Sequence, residues 1–140
     1  MSPSLSATPG TILIVEDDPA VLKVVSDILK RAGFTVLPAS RAFEAADFVH
    51  NFTGIIPPLL SDVDMPGIAG PDLATRLKAI RPEMRVTLMS GHADGAVLIL
   101  NYGWHFILKP VLPETLVTAV KDVLAGASRE IGRASCRERV

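Results

Sequence analysis

Five short aliphatic and β-branched runs alternate along this chain with five stretches whose apolar residues recur at helical spacing, and that alternation restricts the fold more than any other feature. The runs are Thr11–Val15, Phe34–Leu37, the stretch ending at Asp62, Arg85–Met89 and Trp104–Leu108. A helix-length segment follows each of them, so successive strands must run parallel through right-handed crossovers. Such a chain forms an α/β fold, a three-layer α/β/α sandwich with a five-stranded parallel sheet of the doubly wound type.

The intervening segments carry their own boundaries. Asp18-Pro19 supplies an N-cap and first-turn proline for a helix that places Val21, Leu22, Val25, Ile28, Leu29 and Ala32 on one face and ends at Gly33. Arg41 to about Asn51 keeps helical spacing through Ala42, Ala45 or Ala46, and Val49. Pro57 and Pro58 must precede the third strand, because prolines cannot donate to a central ladder. Gly70-Pro71 opens a third helix with Leu73, Leu77 and Ile80 inward, stopped by Arg81-Pro82. A short fourth helix is expected over Asp94–Asn101, and Pro113 opens a last one with its stripe of Leu116, Val117, Val120, Val123 and Leu124.

Composition bounds the rest. At 140 residues, 49% hydrophobic and 21% charged, with mean hydropathy +0.37, the chain suits one folded domain, and it has no apolar run long enough to span a bilayer. Residues 1–10 lack the basic start and apolar core of a signal peptide and read as a disordered leader, so a cytoplasmic location is expected. The domain is expected over 11–127. The tail 128–140 is set apart, since Glu130–Val140 resembles the in-frame translation of a sequencing adapter. Cys136, the single cysteine, lies in that tail, which leaves no disulfide framework or thiolate site. Without Glu130–Val140 the chain has 11 basic and 13 acidic side chains, so no basic surface argues for nucleic acid.

Polar residues gather where the strands end. Glu16 and Asp17 follow the first strand, Asp62 ends the third, Ser90 follows the fourth and Lys109 the fifth. In open parallel sheets ligands bind outside these carboxyl ends. A lone Asp at position 62 is more often a solvated loop acid or a helix cap; the convergence of five polar groups points instead to a site. Crowded carboxylates repel unless protonated or bridged by a cation, and oxygen donors without His or Cys select a hard ion, with magnesium favoured. An ammonium and a hydroxyl beside a nucleophilic carboxylate suit phosphoryl transfer.

Four motifs then carry a resemblance: Ile-Leu-Ile-Val-Glu-Asp-Asp-Pro at 12–19, Ser-Asp-Val-Asp-Met-Pro-Gly at 61–67, Met-Ser-Gly-His at 89–92 and Phe-Ile-Leu-Lys-Pro at 106–110. In order and nearly in spacing, the stretch from Thr11 to Leu124 resembles the CheY-like receiver domain of bacterial two-component response regulators. The resemblance implies flavodoxin-like strand order 2-1-3-4-5. It makes Asp62 the phosphorylated residue, receiving its phosphoryl group from a sensor histidine kinase or a histidine phosphotransfer protein. Mg2+ would be bound by Asp17 directly, by Glu16 through water, by Asp62, and by the backbone carbonyl of Asp64. Ser90 and Lys109 would hold phosphoryl oxygens, and a cis Lys109–Pro110 bond would aim the ammonium at the site. Ser90 and Phe106 would form the switch that alters the surface of the fourth helix, fifth strand and last helix for a downstream partner. Phe106 lacks a phenolic hydroxyl, so packing alone would report it. Such a domain signals and is not an enzyme beyond its own phosphotransfer and autodephosphorylation. Neither nucleic acid nor membrane binding is expected of it.

Several positions depart from the family's pattern. Ser90 precedes Lys109 by nineteen residues, a few fewer than is common, which implies a clipped fourth helix. Trp104 reads as edge-strand packing. Asp64 and His92 either tune the lifetime of the phosphorylated state by acting on water or are solvated loop residues. The expected arrangement is a stand-alone regulator. Alternatives are a receiver fragment of a longer response regulator or hybrid histidine kinase, a haloacid-dehalogenase-like phosphatase using Asp62-Val63-Asp64, and a docking module that is never phosphorylated.

Overall fold

The structure, a computed structural model, describes residues 10–65, 67–91 and 104–125. The leader, the expected fourth helix, His92 and the tail lie outside the described residues. The elements are β1 (Thr11–Val15), α1 (Pro19–Arg31), β2 (Thr35–Ala39), α2 (Ala42–Asn51), β3 (Leu59–Asp62), α3 (Gly70–Ile80), β4 (Val86–Ser90), β5 (His105–Leu108) and α4 (Pro113–Ala125). All five strands are parallel, in the order β2-β1-β3-β4-β5. Both the fold class and the strand order are those expected.

The sheet divides the core in two because side chains alternate along each strand. Ile12, Ile14, Leu60, Met89 and Ile107 face α1 and α4, where Val25, Leu29, Leu116 and Val120 meet them. Leu13, Val15, Leu59 and Leu88 face α2 and α3 and pack with Ala45, Val49, Leu73 and Leu77. Strand β1 is buried throughout, which explains why it reads as a nearly continuous apolar run, and β3 is buried throughout although it ends in Ser61 and Asp62. Trp104 is buried in the α2/α3 half of the core, in line with the packing role expected of it.

One boundary moves for an instructive reason. β2 was expected to stop at Leu37, yet it continues through Pro38 to Ala39. Thr35 N donates to Gly10 O at 2.8 Å and Glu16 N to Ala39 O at 3.1 Å, so the odd-numbered residues of β2 face β1. Pro38 therefore turns its missing donor outward at the sheet edge, where a proline is tolerated and blocks pairing with another chain.

Candidate functional site

The same alternation builds the site. Glu16 follows Ile14 by two residues, Asp62 follows Leu60 by two and Lys109 follows Ile107 by two, so all three project from the α1/α4 side of the sheet's carboxyl edge. Backbone bonds carry the ladder one residue past the strands: Lys109 N donates to Ser90 O and Val63 N to Met89 O, each at 2.8 Å. Asp62 is paired with Met89 in register and Ser90 with Leu108, which sets four of the five predicted groups along one edge.

Three acids converge there. Carboxylate oxygens of Glu16, Asp17 and Asp62 lie within 4.8 Å of one another. Glu16 is 1% exposed and Asp62 6%, while Asp17 is open to solvent. Lys109 Nζ stands 3.0 Å from Asp62 Oδ1 and 3.7 Å from Glu16 Oε1. The Lys109–Pro110 peptide is cis.

Asp18, the last of three consecutive acids after β1, serves the backbone. Asp18 Oδ1 accepts from Ala20 N at 2.9 Å and Val21 N at 3.4 Å, capping α1 ahead of Pro19. Its own N–H donates to Glu16 Oε2 at 3.2 Å and fixes how Glu16 enters the cluster. That contact was not anticipated, because a backbone donor leaves no mark in the sequence.

Charge in the cluster is unbalanced. Burial pushes the Glu16 carboxyl above its ordinary value and the Asp62 carboxylate adds to the rise, against the Asp18 N–H and Lys109. For Lys109 burial works against the charged form, but the hydrogen bond and charge of Asp62 outweigh it, and its pKa rises. Glu16 Oε1 is buried without a hydrogen-bond partner. A buried, unsatisfied carboxylate oxygen among two further acids, with no nitrogen or sulfur ligand in the group, fits a hard divalent cation with water completing its shell.

The remaining predicted residues are placed as follows. Ser90 is 2% exposed at the end of β4, on the α2/α3 side with Leu88. Phe106, which pairs with Leu88, is partly buried against that same half of the core. Asp64 is exposed, and its side chain stands outside the three-acid cluster.

Gly70 is a site-shaping residue that the sequence reading took only as a helix opener. Its N–H donates to Val63 O at 2.8 Å, and a Cβ there would overlap the carbonyl oxygen of Asp62. Only glycine lets α3 begin directly against the backbone that presents Asp62.

Fold and site together define a class, and the family model for the response regulator receiver domain matches residues 12–121. The chain belongs to that family. It is 35% identical over 127 residues to the phosphoglycerate transport system transcriptional regulatory protein PgtA of Salmonella typhimurium, covering 88% of this chain and 30% of that protein. The sensor kinase CckA of Brucella abortus is 32% identical over 118 residues, which are 82% of this chain and 12% of the kinase. The chain thus spans less than a third of these curated relatives. Among solved structures, a CheY-like receiver domain protein of Methanospirillum hungatei superposes with TM-score 0.76 at 31% identity, covering 88% of this chain and 99% of that one. The receiver domain of the hybrid histidine kinase CckA gives 0.70 at 36% identity, covering 82% and 99%. Among the described residues no helix is long and apolar enough to cross a membrane.

Proposed function

We propose that this domain is a phosphoacceptor in a His-Asp phosphorelay, with Asp62 as the acceptor. The observation that carries the reading is the 3.0 Å pairing of Lys109 Nζ with Asp62 Oδ1 inside a three-carboxylate cluster. The ammonium occupies one carboxylate oxygen and leaves Oδ2 to attack. An O–P bond to Asp62 forms as the P–N bond to the donor's imidazole breaks, giving an acyl phosphate and a free imidazole. Lys109 then moves its hydrogen bond to a phosphoryl oxygen, and Ser90 donates to another.

Asp17, Glu16 and Asp62, with the carbonyl of Asp64, would hold Mg2+, which when bound neutralises charge on the transferring group. The donor is a sensor histidine kinase or a histidine phosphotransfer protein. An apolar hollow formed by Val21, Val24 and Ile28 of α1 with Pro110 and Val111 adjoins Lys109 and offers a seat for it. Movement of Ser90 toward the phosphoryl group would free space for Phe106, which shares its side of the sheet, and alter the β5–α4 surface for a downstream partner. Asp64 and His92 would tune the lifetime of the phosphorylated state through water. PgtA is by name a transcriptional regulator and CckA a sensor kinase, so output through an attached or separate domain is equally served by this switch.

Intact mass after incubation with acetyl phosphate and magnesium tests the reading. One phosphoryl adduct, absent in Asp62→Asn and without magnesium, is the expected result. Folded protein with no adduct would leave a docking module instead.

A further inference from the structure

We propose that the cleft between α2 and α3 is a docking groove for an acidic amphipathic helix of a partner protein. The cleft has a volume of about 1090 Å³ and runs from Asp17 to Ile80. It exists because α2 turns small side chains toward it: Ala42 and Ala46 leave the buried faces of Leu73 and Leu77 incompletely covered. Phe43, 60% exposed, and Ile80, 37% exposed, stand along its sides as apolar residues with nothing over them. This volume lies at the upper end for small-molecule clefts, and a groove between two helices with an apolar floor matches the helix-in-groove mode of recognition.

Charge selects the occupant. Arg41 and Arg76 line the groove, are exposed, and form no ion pair among the described residues. Of the nearby acids, Glu44 Oε1 accepts from Ser40 N, Ser40 Oγ and Arg41 N, Asp17 belongs to the carboxylate cluster, and Asp72, exposed one helical turn before Arg76, forms no ion pair with it. Two exposed guanidinium groups without an ion pair beside an apolar floor complement a helix with a Leu-type stripe flanked by Asp or Glu. Concavity favours a convex helix over a flat bilayer surface.

The test uses the whole chain without any phosphodonor, so its result stands apart from that of the phosphoacceptor reading. Two helical peptides of about sixteen residues share Leu at i, i+3, i+4 and i+7 and differ in carrying Glu or Lys elsewhere. Expected in two-dimensional amide NMR are shifts confined to α2, α3 and their flanking loops, with the Glu peptide binding at least tenfold tighter. Arg41→Glu with Arg76→Glu should reverse that preference, and Ala46→Leu should raise the groove floor and weaken binding at least tenfold while the far-ultraviolet circular dichroism is kept. Equal affinity for both peptides, no binding, or shifts elsewhere would overturn the proposal. So would tighter binding to phosphatidylserine vesicles than to the Glu peptide, or a concentration-dependent dimer in sedimentation whose interface is α2 and α3.

Discussion

Lys109 Nζ reaches Asp62 Oδ1 at 3.0 Å although β4 separates their strands in the sheet. The ammonium crosses that interval from just beyond β5, and it also stands 3.7 Å from Glu16 Oε1. It is the cation that holds two buried acids together, with its own side chain 29% exposed. Lys109→Met should therefore lower stability in magnesium-free buffer by about 1–3 kcal/mol, as two buried acids lose their partner. The same variant should slow both gain and loss of the phosphoryl group by roughly ten- to a hundredfold, since one charge-stabilising donor is removed. Urea titration and intact-mass time courses read the two effects; unchanged values in both would refute the assigned role.

Magnesium should stabilise the folded chain, because the carboxylates proposed to hold it come together only there. At a free concentration about one hundred times its dissociation constant the gain is about 2.7 kcal/mol. Asp17→Asn should weaken this response while raising stability without the ion, as like charges within 4.8 Å are relieved. Thermal melts with and without magnesium distinguish this from a structural role for Asp17, which would lower stability in both buffers.

Gly70→Ala should disturb the presentation of Asp62. The added methyl overlaps the Asp62 carbonyl oxygen, and forcing it in costs roughly 1–3 kcal/mol. Adduct formation with acetyl phosphate should fall even where circular dichroism shows a folded chain. A variant as stable and as rapidly phosphorylated as the parent would show that the contact relaxes freely.

Glu44 predicts a pH dependence. The Ser40 N–H, the Ser40 hydroxyl and the Arg41 N–H hold its carboxyl below the ordinary glutamate value of 4.5. A depressed carboxyl contributes stability above its unfolded value and loses it as pH falls through the folded one. Glu44→Gln should thus lower the urea midpoint at pH 7, and the gap should narrow as pH falls below 4.5 and close once the parent's own carboxyl is protonated. A gap that stays the same size all the way down the acid range would mean that the carboxylate charge is not what secures the start of α2.

Asp64 is exposed beside the site, so Asp64→Asn should leave stability within about 0.5 kcal/mol. If its carboxylate assists water, the phosphorylated state should last roughly two- to tenfold longer in the variant. An unchanged half-life would return Asp64 to a solvated loop residue.

Alternating apolar runs and helical stripes were enough to derive a doubly wound parallel sheet, because strand periodicity and crossover handedness are local consequences of chain chemistry. The positions of Glu16, Asp17, Asp62, Ser90 and Lys109 at strand ends were equally legible, since a parallel sheet brings all such ends to one edge. So was the capping of α1 by Asp18, which needs only its neighbours.

Tertiary structure alone decided the rest. It set Lys109 across β4 onto Asp62, oriented Glu16 through the Asp18 N–H, and pressed Gly70 against the Asp62 backbone. It also opened a cleft above Ala42 and Ala46 that the same alanines, read along the chain, had described only as an inward helix face. The physical reason is range: periodicity and caps are fixed by residues a few positions apart, whereas these distances depend on how separate strands and helices pack in three dimensions.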